Sequence, residues 1–172
     1  HDHSRGSLRF SKLSHSSAIN MEEIKWRWRH FDTMSAAAWH EVLMLRADIF
    51  VVEQACPYQD PDYKDLKCWH LTGHMGDELV ATLRVVPPGV SYDECSIGRV
   101  SISRRLRGQR RGVELMKIGM GFCASKWDTG IRISGQAYLQ EFYEALGFVT
   151  ENGPYMEDDI PHYEMLYSGA TQ

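Results

Sequence analysis

The chain holds 172 residues, 43% apolar and 24% charged, with a formal net charge of −4 and a sequence pI near 6.1. That length and balance describe one globular domain with a real core, and the acidic total argues against the strongly basic face that nucleic-acid binding needs. No apolar run approaches the ~20 residues of a membrane-spanning helix. The four cysteines, Cys56, Cys68, Cys95 and Cys123, form no C-x-x-C pair, which points to reduced thiols, a cytoplasmic setting and no zinc site.

Residues 1–20 are rich in Ser and His and lack both a core pattern and the apolar stretch of a signal peptide. They are expected to be mobile or foreign to the native chain, with Met21 as a candidate start and 21–172 as one domain. Ile24, Trp26 and Trp28 alternate with Lys25, Arg27 and Arg29, the period of a half-buried strand. From Ser35 the spacing changes. Trp39, Leu43, Leu45, Ile49 and Phe50 predict a helix capped by Thr33 or Ser35. Residues 52–66, with two prolines and three aspartates, read as a loop with material for binding.

Cys68–His74 and Leu79–Val86 read as strands joined at Gly76-Asp77, and Pro87-Pro88-Gly89 ends the second. Ser96–Ile102 predicts another strand, 103–112 a loop and Val113–Lys126 an amphipathic helix. Ile131–Ser134 is a short strand, Ala137–Leu146 a helix closed by Gly147, and Phe148–Thr150 with Tyr163–Tyr167 a final strand pair. The order β-α-loop-β-β-β-α-β-α-β-β gives an α/β fold with a mixed sheet and helices on its faces. Asp60, Asp62 and Asp65 lack the glycine and distal glutamate of a calcium loop, and His70 with His74 has no third ligand, so no metal site is expected.

The most informative segment is Arg107-Gly108-Gln109-Arg110-Arg111-Gly112-Val113. It lies between a predicted strand and the start of a predicted helix. Free backbone N–H groups, the helix dipole and arginine side chains there all favour a phosphate. It carries neither Gly-Lys-Ser/Thr nor G-x-G-x-x-G, so it is neither of the two best-known phosphate loops.

The element order and this loop resemble the GNAT superfamily of acyl-CoA-dependent N-acetyltransferases, whose pyrophosphate motif is R/Q-x-x-G-x-G/A. Arg110 stands where most members have Gly. The resemblance is closest to the ElaA-like branch. It is carried also by Leu45-Arg46, Phe50-Val51-Val52-Glu53-Gln54, Cys56-Pro57-Tyr58-Gln59-Asp60, Ile97-Gly98-Arg99-Val100 and Gln136-Ala137. Further along, Leu139-Gln140, Phe142-Tyr143, Gly147-Phe148 and Ile160-Pro161-His162 extend it to nearly the whole domain. Tyr138 departs from the branch, which commonly has His there, so no role of that His carries over.

The resemblance implies a central twisted sheet of six to seven strands with helices on both faces, and acetyl-CoA as co-substrate. Arg107, Gly108, Gln109, Arg110, Arg111, Gly112 and Val113 would hold the pyrophosphate. Val100, Ser101 and Ile102 would pair with the pantetheine arm, and Gln136 would join the cofactor side. Tyr143 matches the residue that protonates the departing thiolate; by spacing alone it reads as a core-edge tyrosine beside Leu139, Phe142 and Leu146. For the general base, His70, His162, Glu53 and a water chain to a carboxylate stay open. Arg46, Glu53, Tyr58 and Arg99 are the substrate-side candidates, and surface ion pairs are the plainer fate of such charges.

The reaction expected is direct acetyl transfer to a primary amine of a small molecule or peptide. Arg46 and Arg99 could pair a second phosphate, which makes glucosamine 6-phosphate the sharp alternative acceptor. A non-catalytic acyl-CoA-binding module is the other reading. A homodimer is compatible with either.

Overall fold

The computed structural model describes residues 23–169. The expectations for residues 1–20 and for Met21 lie outside that range. Strand β1 is Lys25–His30 and helix α1 is Ala36–Arg46. Strands β2 (Trp69–Met75), β3 (Glu78–Val86) and β4 (Ser96–Ile102) precede helix α2 (Arg111–Lys126). Then come β5 (Ile131–Gln136), α3 (Gln140–Ala145), β6 (Val149–Glu157) and β7 (Ile160–Tyr167).

The fold is the expected mixed α/β arrangement, but the seven strands form two antiparallel sheets, in the orders β1-β2-β3-β4 and β5-β7-β6. The sheets meet at one parallel bridge, Cys95 with Ile131, where the Arg132 N–H donates to the Cys95 carbonyl at 3.0 Å. Beyond it no ladder joins β4 to β5 among the described residues, and a cleft opens between their facing edges.

Side chains alternate across β3 and so reach both layers. Leu83 packs under α2, so closely that a Cβ on Gly119 would lie 3.0 Å from it. Its neighbour Arg84 turns the other way, toward Asp62 and Asp65, the second of which Arg46 of α1 also meets. Helices thus cover both faces. The core joins Leu71, Leu83, Val85 and Ile97 to Leu115 and Met116 of α2, and runs into the second sheet through Ile131, Ile133, Phe148 and Met165.

Two irregularities shape the cleft. Ser35 caps α1 by accepting from the Ala38 N–H, as its sequence position predicts, yet the helix does not end in a loop. It widens into a π-helical segment, Ala47–Glu53, a form that recurs at functional sites. In β4 the register passes from Gly98 opposite Arg84 to Ser101 opposite Thr82, so Arg99 and Val100 together oppose Leu83. Arg99 takes a left-handed φ of 51° in this bulge, which re-aims its side chain.

Candidate active site

A cleft of about 940 Å³ runs along the gap between β4 and β5, from the 107–113 loop at one end to the β6–β7 turn at the other. That is the size range of small-molecule sites.

At the first end, Gly108 has φ +79°, and a Cβ there would meet nothing within 4 Å. Arg110 is the N-cap of α2 and has φ 59°, ψ 21°, in the left-handed region. Its side chain makes no capping bond, so no side chain covers the first-turn N–H groups of a sixteen-residue helix. Gly112 lies within the helix, and a Cβ on it would touch Ile102 and Phe142 at an ordinary 3.6 Å. Packing alone therefore does not require glycine there. Arg107 is held by Glu53 of the π-helical segment through both carboxylate oxygens, and Arg104 reaches the same carboxylate at 3.3 Å. Hydrogen bonds from Arg107 hold Glu53 below the usual carboxylate range, which makes it a weak base. Arg111 is paired with Glu114 at 2.8 Å, and Gln109 is exposed and does not line the cleft.

Along the wall, Val100 and Ile102 face the cleft, whereas Ser101 is buried and donates to the Arg99 carbonyl at 3.1 Å. Gln136 at the end of β5 faces Gln54 across the gap, their amides 3.4 Å apart. Tyr143 sits midway. It is 8% exposed, and its hydroxyl has no hydrogen-bond partner among the described residues. Burial pushes its phenol up to about 12, so it stays protonated at neutral pH. The ring lies flat against β5 because Gly135 is there; a Cβ at 135 would stand 2.9 Å from Tyr143 Cε2. A glycine in mid-strand was the available signal for that contact.

The far end holds His162, 7% exposed. Its Nδ1 is 2.7 Å from the Ile160 carbonyl, an acceptor, so Nδ1 carries the proton and a neutral ring keeps its lone pair on Nε2. Glu157 Oε2 lies 3.4 Å from Nε2 and also accepts from Ser134 Oγ at 3.1 Å. Tyr155 bonds Ser134 at 2.5 Å and stacks on His162. Ser134, Tyr155 and Glu157 carried no local sequence signal.

Three sequence candidates do not reach the cleft as free groups. Arg46 is 1% exposed and outside the lining. It donates to Asp60 at 2.8 Å and to Asp65 at 2.9 and 3.1 Å, and these two carboxylates already compensate its charge. Arg99 reaches the Asp60 carbonyl at 2.9 Å, with Nε 2.9 Å from Asp60 Oδ1. His70 is 1% exposed, wedged edge-on against Trp39, with Nε2 3.0 Å from the Asp65 carbonyl and Nδ1 unpartnered. Burial drives its imidazole down to about 4. Tyr58 does line the cleft and donates to Asp60 at 3.0 Å. Arg84, which sequence reasoning passed over, grips Asp62 through both nitrogens at 2.6 and 3.0 Å. Burial by itself would raise the Asp62 carboxyl, but Arg84 and Arg99 more than offset it and hold it at about 2.

Residues 70–168 match the family model described as an acetyltransferase (GNAT) domain. The chain belongs to the GNAT acetyltransferase family. Protein ElaA of Escherichia coli is 39% identical to this GNAT chain, over 83% of it and 95% of ElaA. A UPF0039 protein of Synechocystis is also 39% identical, over 84% and 96%. Among solved structures, an acyl-CoA N-acyltransferase from Pseudomonas aeruginosa superposes with a TM-score of 0.80 at 38% identity, covering 83% of this chain and 98% of that one. The structure of E. coli ElaA superposes at 0.78 and 38% identity, covering 83% and 98%. The protein is thus an acyl-CoA N-acyltransferase of this family. Among its described residues no helix is long and apolar enough to cross a membrane, and no group of three His, Cys, Asp or Glu is placed to hold a metal ion.

Proposed function

We propose that this GNAT enzyme transfers acetyl from acetyl-CoA directly to a primary amine, with Tyr143 as general acid and His162 as general base. One observation carries the reading: a phenol and an imidazole, each nine-tenths buried, line the same cleft whose other end is the uncapped start of α2. The N–H groups of residues 111–113 and the side chains of Arg107 and Arg110 would take the pyrophosphate, once Arg107 exchanges Glu53 for phosphate oxygen. The unpaired edge of β4 at Val100 and Ile102 would accept the pantetheine amides as an added strand, and one of its N–H groups would polarise the thioester carbonyl.

The incoming ammonium loses a proton to His162 Nε2, with Glu157 stabilising the imidazolium that forms. The freed amine nitrogen attacks the thioester carbonyl carbon. As the C–S bond breaks, the thiolate takes the Tyr143 proton. His162 is favoured over His70 because His70 lies under Trp39, outside the cleft, and over Glu53 because Arg107 already holds that carboxylate. An acceptor bearing a phosphate has no support here, since Arg46 and Arg99 are engaged by Asp60 and Asp65.

Four measurements test this. Acetyl-CoA in excess should raise Tm through mass action, and thiol release in the presence of amines should follow. Tyr143→Phe should lower kcat by ~10²-fold or more with little change in acetyl-CoA affinity. His162→Gln should abolish the acidic limb of kcat/KM against pH. Full turnover by Tyr143→Phe, or an unchanged limb in His162→Gln, removes that residue from its role. Thermal stabilisation without thiol release from any amine would leave an acyl-CoA-binding module.

A further inference from the structure

The charges at the acceptor end of the cleft select among amines, on the reading above that acetyl transfer occurs there. Arg84 and Arg99 face the cleft and would at first suggest an anionic acceptor. With Arg46 they are matched one for one by Asp60, Asp62 and Asp65, in a cluster joined by ion contacts of 2.6 to 3.5 Å. It presents no net charge.

What remains is anionic and aromatic. Glu157 and Asp158 line the cleft, and neither is paired with an Arg or Lys among the described residues. Tyr92 lines it with them, Tyr58 lines it with the Arg99 guanidinium already 5.9 Å from its ring centroid, and Tyr155 lies parallel to His162 with ring centroids 6.2 Å apart. Carboxylates beside aromatic faces attract alkylammonium ions and repel phosphates. The turn that carries Asp158 is held in place. Asp158 and Asp159 both take left-handed φ, 50° and 60°, in a two-residue turn between β6 and β7. The Cys56 thiol donates to the Asp158 carbonyl at 3.5 Å, tying that turn to the opposite wall. The same cleft holds Tyr143, a buried residue whose hydroxyl has no hydrogen-bond partner among the described residues. Lys64, on an exposed turn, is the opposing charge at the rim.

We propose that the acceptor is a small aliphatic amine with a second cationic nitrogen, an alkyl diamine in chemical class. The reacting nitrogen sits at His162 and Glu157, and the distal ammonium at Asp158 and the tyrosine faces. The second charge contributes binding that a monoamine of equal length cannot make, and a phosphate-bearing amine meets like charge at Glu157 and Asp158.

The test uses the whole protein, acetyl-CoA and three acceptors: 1,4-diaminobutane, butylamine and glucosamine 6-phosphate. Thiol release should give a kcat/KM for the diamine roughly tenfold or more above butylamine, with the aminosugar phosphate slowest. Added salt should shrink the diamine advantage, and Asp158→Asn should bring the diamine-to-monoamine ratio toward one. A ratio near one in the wild type, or a preference for glucosamine 6-phosphate, overturns the proposal. So does thiol release from none of the three while acetyl-CoA still raises Tm, which leaves the cofactor reading standing. Absence of any Tm rise with acetyl-CoA removes both.

Discussion

At residues 107–113 the cleft's charge is local and partly exposed: one short loop supplies its backbone N–H groups and arginines, and Arg107 and Arg111 pair with Glu53 and Glu114 beside solvent. At the acceptor end the arginines come from α1, β3 and β4, and each is locked to an aspartate from the 60–65 segment. On the proposed reading an arginine in the loop is a binding group, whereas an arginine in the cluster is a structural bolt. The difference lies in what each guanidinium touches, not in the residue type.

The largest effect should come from breaking a bolt. Asp65→Ala leaves three arginines against two aspartates, one buried positive charge without its match, and should cost about 3–5 kcal/mol, on the order of 10 °C in Tm by calorimetry. The same removal in the loop, Glu53→Ala, should barely move Tm, because that pair is exposed to solvent on the Arg107 side. Equal losses at both sites would erase the distinction.

Acid should act on the cluster next. His70 is held neutral by burial, with a folded value of about 4 against an unfolded value near 6.5. Its depressed value means full stability above pH ~6.5 and a progressive loss as pH falls toward 4, roughly 3 kcal/mol in all. Asp62, held at about 2, adds a further loss as pH falls from ~4 toward 2. His70→Gln should flatten the first window in Tm against pH; a persistent slope there would place its source elsewhere.

Smaller effects test the reacting wall and the loop. Gly135→Ala puts a methyl 2.9 Å from the Tyr143 ring, which is hemmed by Phe142 and Phe148. It should lower kcat about tenfold with KM for acetyl-CoA little changed. Smallest of all, Arg110→Gly should raise Tm, by up to ~1 kcal/mol of relieved left-handed strain net of glycine's entropy. Arg110→Ala, which keeps the strain, should not.

The same contrast explains what the sequence revealed. Strands β2 to β4 and the turn between β2 and β3 were legible because short apolar-rich runs and Gly76-Asp77 act over neighbouring residues. The 107–113 loop was legible for the same reason, and its odd Arg110 proved to occupy a conformation that glycine adopts without strain. The Arg–Asp cluster was not legible: it joins residues 14 to 39 positions apart, and nothing local tells a buried arginine from a binding one. The length of β6 was hidden because its residues are largely exposed and show no clean alternation, and because Gly153-Pro154 reads as a break. The π-helical segment was missed because widening a helix shifts backbone hydrogen bonds without altering which residues are apolar.

The single bridge between the two sheets has a mechanical consequence. One core packs both layers, but beyond Cys95 and Ile131 the facing edges of β4 and β5 form no ladder among the described residues, so their amides are open to exchange with solvent. A chain of amides laid between those edges would splice the layers into one cooperative block. Hydrogen exchange should therefore slow across both edges together when acetyl-CoA binds, far from the phosphate loop as well as near it.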